Sequence, residues 1–213
     1  MTNRSIRLKI CGVTRPEDVA ACVELGVDAI GINLWAGSRR GLTLAEATAL
    51  VRELPARGGP ERVGVFVNPE PDYVLRAHAA LGLDLVQIVS DDPHAAALRL
   101  ALPQLWVVRG TPGQIELPTP APARVLLDAA VPGYGGAGQT TDWDWARAVV
   151  LRMSASAPVW LAGGITPENA AAALAAVSPA GLDVASGAEL PGARRGEKDP
   201  ARIAALLAAC RAG

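Results

Sequence analysis

Eight short apolar runs rich in β-branched residues, at 7–11, 29–34, 62–66, 85–88, 105–108, 124–128, 158–162 and 182–186, alternate with Ala/Leu/Glu/Arg-rich stretches of helical length. Those stretches fall at 16–25, 43–54, 71–81, 93–101, 142–153, 167–176 and 200–210. The runs are nearly continuous in apolar character, as strands are when helices cover both faces of a parallel sheet. Eight βα units predict an α/β chain closed into a single (β/α)8 TIM barrel, with an open doubly wound sheet as the alternative. A length of 213 residues, 50% of them hydrophobic, sits at the short end of the roughly 200 to 400 residues that one such barrel takes. No low-complexity linker or charge run divides the chain, so residues 1–213 read as one domain.

Thr14-Arg15-Pro16-Glu17, Thr166-Pro167-Glu168 and Asp199-Pro200 each set a capping side chain ahead of a proline at the expected first helical position. The segment 111–123 holds four prolines and predicts an irregular connection in place of a regular fifth helix.

Composition narrows the partner. The formal charge is −1 and the 20 basic residues are scattered, which lacks the basic patch of a nucleic-acid or membrane-surface binder and points to a small molecule. Cys11, Cys22 and Cys210 have neither metal-like spacing nor the even number of a disulfide framework, and no His/Asp/Glu cluster has zinc-like spacing. The expectation is a reducing compartment, no metal and no cofactor. Residues 1–7 are polar with no apolar leader core, and no run of ~18 apolar residues follows, so the reading is a cytoplasmic chain that does not enter a membrane.

In such barrels chemistry sits where strands end and βα loops begin. Cys11 closes the first strand in Lys9-Ile10-Cys11-Gly12-Val13-Thr14 and is a candidate base or nucleophile. The alternative is a small core hydrophobe, the reading kept for Cys22 and Cys210 on helical stretches. Asp128 closes the sixth strand behind Val125-Leu126-Leu127, where apolar neighbours raise a carboxyl's pKa and suit it to general-acid work; the alternative is a loop cap. Closing strands on different sides of one mouth, the two make an acid–base pair for proton transfer. Gly163-Gly164 after the seventh strand and Ser186-Gly187 after the eighth stand where backbone N–H groups can approach a phosphate, although a single glycine pair is more often a tight turn. The glycine-rich segment 133–140 reads as part of the mouth or as a lid without ligand contact. Arg40, in Gly37-Ser38-Arg39-Arg40, suits bidentate pairing with a carboxylate or is a solvated surface side chain. His78 and His94 lie on helical stretches and take no catalytic role.

These strings, in order and over nearly the whole chain, resemble the phosphoribosylanthranilate isomerase family of tryptophan biosynthesis. The likeness is carried by Lys9-Ile10-Cys11-Gly12-Val13-Thr14, Asp28-Ala29-Ile30-Gly31 with Ser38-Arg39-Arg40, Gly64-Val65-Phe66-Val67-Asn68, Leu127-Asp128, Gly135-Gly136-Ala137-Gly138 with Asp142-Trp143, Leu161-Ala162-Gly163-Gly164-Ile165, and Asp183-Val184-Ala185-Ser186-Gly187-Ala188-Glu189. The resemblance implies an Amadori rearrangement of N-(5′-phosphoribosyl)anthranilate to 1-(2-carboxyphenylamino)-1-deoxyribulose 5-phosphate. It implies that Asp128 protonates the furanose ring oxygen, Cys11 removes the proton from C2, Arg40 holds the anthranilate carboxylate, and Gly163, Gly164, Ser186 and Gly187 lie at the phosphate. Members of this family are monomers or homodimers.

The chain departs from the family pattern in places. Val89-Ser90 stands where His-Gly is common, Gly41 and Thr141 where aromatics are, and residues 194–197 lengthen the last loop as a surface change. Two other readings compete: a phosphosugar isomerase barrel of the histidine-pathway type, against which Cys11 speaks because that family ends its first strand in aspartate, and a non-catalytic barrel serving as a binding module.

Overall fold

A computed structural model of the chain describes residues 6–90, 100–109, 121–129, 140–192 and 196–212. The expected helix at 93–101, the proline-rich connection at 111–123 and the glycine-rich segment at 133–140 fall almost wholly outside the described residues.

Eight parallel strands form one sheet: β1 (Arg7–Cys11), β2 (Ala29–Asn33), β3 (Glu61–Val67), β4 (Leu85–Val89), β5 (Leu105–Arg109), β6 (Arg124–Asp128), β7 (Val159–Leu161) and β8 (Gly181–Val184). Their order is β4-β3-β2-β1-β8-β7-β6-β5. The two outermost strands meet, because Val86 N–H donates to the Pro103 carbonyl at 3.0 Å beside a parallel bridge from Val86 to Gln104. The sheet is therefore a barrel rather than an open fan.

Six helices lie among the described residues: α1 (Pro16–Leu25), α2 (Leu44–Val51), α3 (Pro71–Leu81), α4 (Trp143–Met153), α5 (Ala170–Val177) and α6 (Pro200–Ala212), with a 3₁₀ turn at Ser186–Ala188. None is long and apolar enough to cross a membrane. Helix starts differ from expectation in two places. The residue before α1 is Arg15, which makes no side-chain cap, and α5 begins at Ala170 rather than at Pro167. Thr166 N–H donates to Asn169 Oδ1 at 2.8 Å and Ala170 N–H to the Thr166 carbonyl at 2.9 Å, so Thr166-Pro167-Glu168 is spent on a turn before the helix. Asp199 does cap α6, accepting from Ala201 N–H at 2.9 Å.

Alternation along the strands sorts side chains into two sets. Leu8, Ile10, Ile30, Val125, Leu127 and Leu182 face outward into the main core shared with the helices. Ala29, Val63, Leu85, Leu105, Leu126 and Trp160 form a separate apolar layer inside the barrel. Beneath that layer Glu61 holds Arg124 at 2.6 Å and Arg7 at 3.3 Å, and both guanidinium groups stand against the Trp160 ring, at 5.1 and 5.9 Å from its centroid. The strands are thus less uniformly apolar than they read, because their inward residues turn polar at both ends of the lumen.

Candidate active site

On β1 every second residue, Arg7, Lys9 and Cys11, points into the lumen, and Cys11 comes last, at the rim where all eight strands end. Asp128 ends β6 on the same rim, separated from β1 by β8 and β7, and its register partner Arg109 ends β5. Just inside the rim lies Lys9, fully buried. Its Nζ donates to both Asp183 oxygens, at 3.0 and 2.9 Å, and to Gln87 Oε1 at 2.9 Å. One ammonium thereby ties β1 to β8 and, across the lumen, to β4. Burial pushes the Lys9 pKa down, but Asp183 and the nearby thiol outweigh burial and hold it above the ordinary value, so Lys9 stays cationic.

The same pair of charges reaches both candidate groups. Burial pushes the Cys11 thiol up; Lys9 and Lys198 pull it back, Asp183 adds to the rise, and the balance lies above the ordinary thiol value. Burial also raises Asp128, with Asp183 adding to it, against the Ala129 N–H that donates to Oδ1 at 2.9 Å and against the charges of Arg109 and Lys9. The expectation of a raised carboxyl at the end of the sixth strand holds, for the reason given. Cys22 and Cys210 are buried in the outer core, as expected of small hydrophobes.

Arg40 is not a surface side chain. It is 6% exposed, and its Nε donates to Glu189, which also accepts from Arg39 and, at 3.4 Å, from Lys198 Nζ. Its Nη2 is buried with no hydrogen-bond partner among the described residues. Arg40 lies directly on Gly12, where a Cβ would overlap its Cδ. Burial pushes Glu189 up, but the bond from Arg40 and the charges of Lys198, Arg40 and Arg39 prevail and hold it below the usual carboxylate range. Lys198 Nζ also donates to the Cys11 carbonyl at 2.7 Å and to the Ala185 carbonyl at 3.1 Å, fixing the ends of β1 and β8 relative to each other. The lengthened last loop is closed by Leu190 N–H donating to the Glu197 carbonyl at 3.0 Å, and Gly196 packs on both Arg40 and Glu189. Gly196 is therefore part of the arginine's support and not simply a surface addition.

The loops after β7 and β8 come together. Gly163 and Gly164 both take left-handed φ, 85° and 64°, and the turn they make sits against Thr141, whose Oγ1 donates to the Ala162 carbonyl at 2.8 Å. Gly187 is in such close contact with Ile165 that a Cβ would overlap its carbonyl oxygen. No hydrogen bond among the described residues uses the backbone N–H of Gly164, Ser186 or Gly187, which leaves three donors for an anion. All seven site residues expected from sequence lie on the βα-loop side of the barrel. Lys9, Asp183, Gln87, Glu189 and Lys198 were missed. Their signal was present in part: Lys9 and Asp183 are charges inside apolar strands, and a charge buried there requires a partner.

Fold and mouth together define a parallel-barrel enzyme whose rim carries a thiol and a carboxyl over a buried ion pair. The family model described as N-(5'phosphoribosyl)anthranilate (PRA) isomerase matches residues 8–209, and the chain belongs to that family. It is 39% identical over 214 residues to N-(5'-phosphoribosyl)anthranilate isomerase of Myxococcus xanthus, with 97% of each chain covered. A solved phosphoribosyl anthranilate isomerase from Thermus thermophilus superposes with a TM-score of 0.77 at 33% identity, covering 97% of this chain and 99% of that one. Another, solved in complex with reduced 1-(o-carboxyphenylamino)-1-deoxyribulose 5-phosphate, gives a TM-score of 0.77 at 27% identity, covering 98% and 100%.

Proposed function

We propose that this chain catalyses the Amadori rearrangement of N-(5′-phosphoribosyl)anthranilate to 1-(2-carboxyphenylamino)-1-deoxyribulose 5-phosphate in tryptophan biosynthesis, as one cytoplasmic barrel domain. The observation that carries this reading is the pairing, at one rim of a chain of this family, of a carboxyl with raised pKa and a thiol that ends a strand above a buried ammonium. Asp128 in its acid form gives a proton to the furanose ring oxygen, the C1–O bond breaks, and the ring opens to a protonated Schiff base. Cys11 as thiolate then takes the proton from C2, and the released electron pair forms an enolamine that becomes the ketone. Arg40 offers its unpartnered Nη2 to the anthranilate carboxylate, and the backbone at Gly163, Gly164, Ser186 and Gly187 receives the phosphate. The ligand of the solved relative, a carboxyphenylamino sugar 5-phosphate, supports a substrate with a carboxylate at one end and a phosphate at the other.

Asp128 and Cys11 exchange protons with the substrate and the electron pairs shift within the substrate itself, so the proposed reaction calls on no metal or cofactor. The test is the loss of substrate fluorescence when phosphoribosylanthranilate is mixed with the purified chain. Turnover that survives exhaustive chelation is the expected result; no consumption of substrate would overturn the assignment.

A further inference from the structure

We propose that Lys9 is a positioning residue for the base: locked by Asp183 and Gln87, its ammonium stands as a fixed cation beside the Cys11 sulfur and sets how readily the thiol ionises. The inference rests on the reading above only in taking Cys11 to be the base. Lys9 and Cys11 are two residues apart on β1 and share the lumen face, and both crowd the backbone of Gly31, the register partner of Cys11. A Cβ built on Gly31 would lie 2.7 Å from the Cys11 sulfur and 3.2 Å from Lys9 Cε. An ammonium has three donors, and here two go to Asp183 and one to Gln87, so the charge cannot swing away.

A buried ion pair is a weak device for stability, since apolar residues of the same volume serve as well or better. Placed against a thiol that burial disfavours as an anion, the same cation has a clear use. The other charges facing the sulfur do not replace it. Asp183 on β8 opposes ionisation, and Lys198 is held on the carbonyls of Cys11 and Ala185 and on Glu189.

The test reads the thiol directly, without substrate, so a chain that failed to turn over phosphoribosylanthranilate would leave this result intact. Iodoacetamide alkylation of the Cys11 peptide is followed by mass spectrometry over a range of pH, with Cys22 and Cys210, pushed up to about 12 by burial, as slow internal references. Two variants are compared with the wild type after circular dichroism and cooperative melting show a native fold. Lys9→Met removes the cation. Gln87→Glu sets a second carboxylate on it. Each should slow Cys11 alkylation at about pH 8 by roughly tenfold or more and move the profile to higher pH, because an opposite charge at this range shifts a pKa by about 1 to 3 units. A merely structural lysine predicts the opposite, since a loosened site wets the thiol and speeds its reaction. An unchanged or faster rate in a folded variant overturns the proposal, and if Lys9→Met does not fold, Gln87→Glu decides alone.

Discussion

Burial raises the pKa of both Cys11 and Asp128, which favours the protonated carboxyl that the proposed acid needs and disfavours the thiolate that the proposed base needs. The working form that the proposed mechanism requires, thiolate with carboxylic acid, holds one proton between the two groups, so its fraction is constant at any pH between their two titrations. Below the Asp128 titration both groups are protonated and the base is lost; above that of Cys11 both are ionised and the acid is lost. The kcat/KM profile should therefore be a plateau whose acid limb lies above the ordinary aspartate value of 3.8 and whose alkaline limb lies above the ordinary thiol value of 9.0. An alkaline limb with its midpoint below the ordinary thiol value would contradict this. Arg40 depends on a residue with no chemistry of its own. Gly12 has φ of 70° and lies under the arginine, so Gly12→Ala should displace the guanidinium and raise KM about tenfold or more with a smaller change in kcat. At this scale the sequence disclosed the end-of-strand residues, because position on a strand is a local property. It did not disclose Glu189 or Lys198, whose partners lie at Arg40 and at the Cys11 carbonyl, distant in the chain and adjacent only after closure.

The elements place these groups through loop contacts more than through strand pairing. Gly187 packs on Ile165, which joins the β8–α6 loop to the β7–α5 loop, and both loops carry backbone N–H groups with no hydrogen-bond partner among the described residues. Gly187→Ala should part the two loops while leaving the strands in register. KM should rise about tenfold, the cost of roughly 1.4 kcal/mol in lost hydrogen bonding to a charged group, with a melting temperature close to the wild type. An unchanged KM would remove this contact from phosphate recognition. Element positions were legible because β-branched runs and helical stretches differ in period, and boundaries were less so. Pro167 looked like a helix start, but the Asn169 side chain takes up the Thr166 N–H and delays α5 by three residues.

For the whole molecule, eight repeated units announced the barrel, while the contents of its lumen were hidden, since a sequence pattern does not say which charges meet across a closed sheet. The lower lumen offers a separate check on the architecture. Burial pushes Glu61 up, yet the bonds and charges of Arg124 and Arg7 outweigh it and hold it below the usual range. A carboxylate lowered in this way stabilises the fold above its unfolded pKa, ~4.3, and that contribution is lost as pH falls through the folded value. Acid unfolding followed by circular dichroism should accordingly be steeper in the wild type than in Glu61→Gln, with the kcat/KM plateau unmoved. The proposed chemistry rests on the two groups at the rim. Steady-state kcat of Cys11→Ala and Asp128→Asn on phosphoribosylanthranilate, with product affinity measured in parallel, tests it most directly. The expected result is a loss of about a thousandfold in kcat for each with affinity nearly kept; near-wild-type turnover by either variant would contradict the acid–base pair.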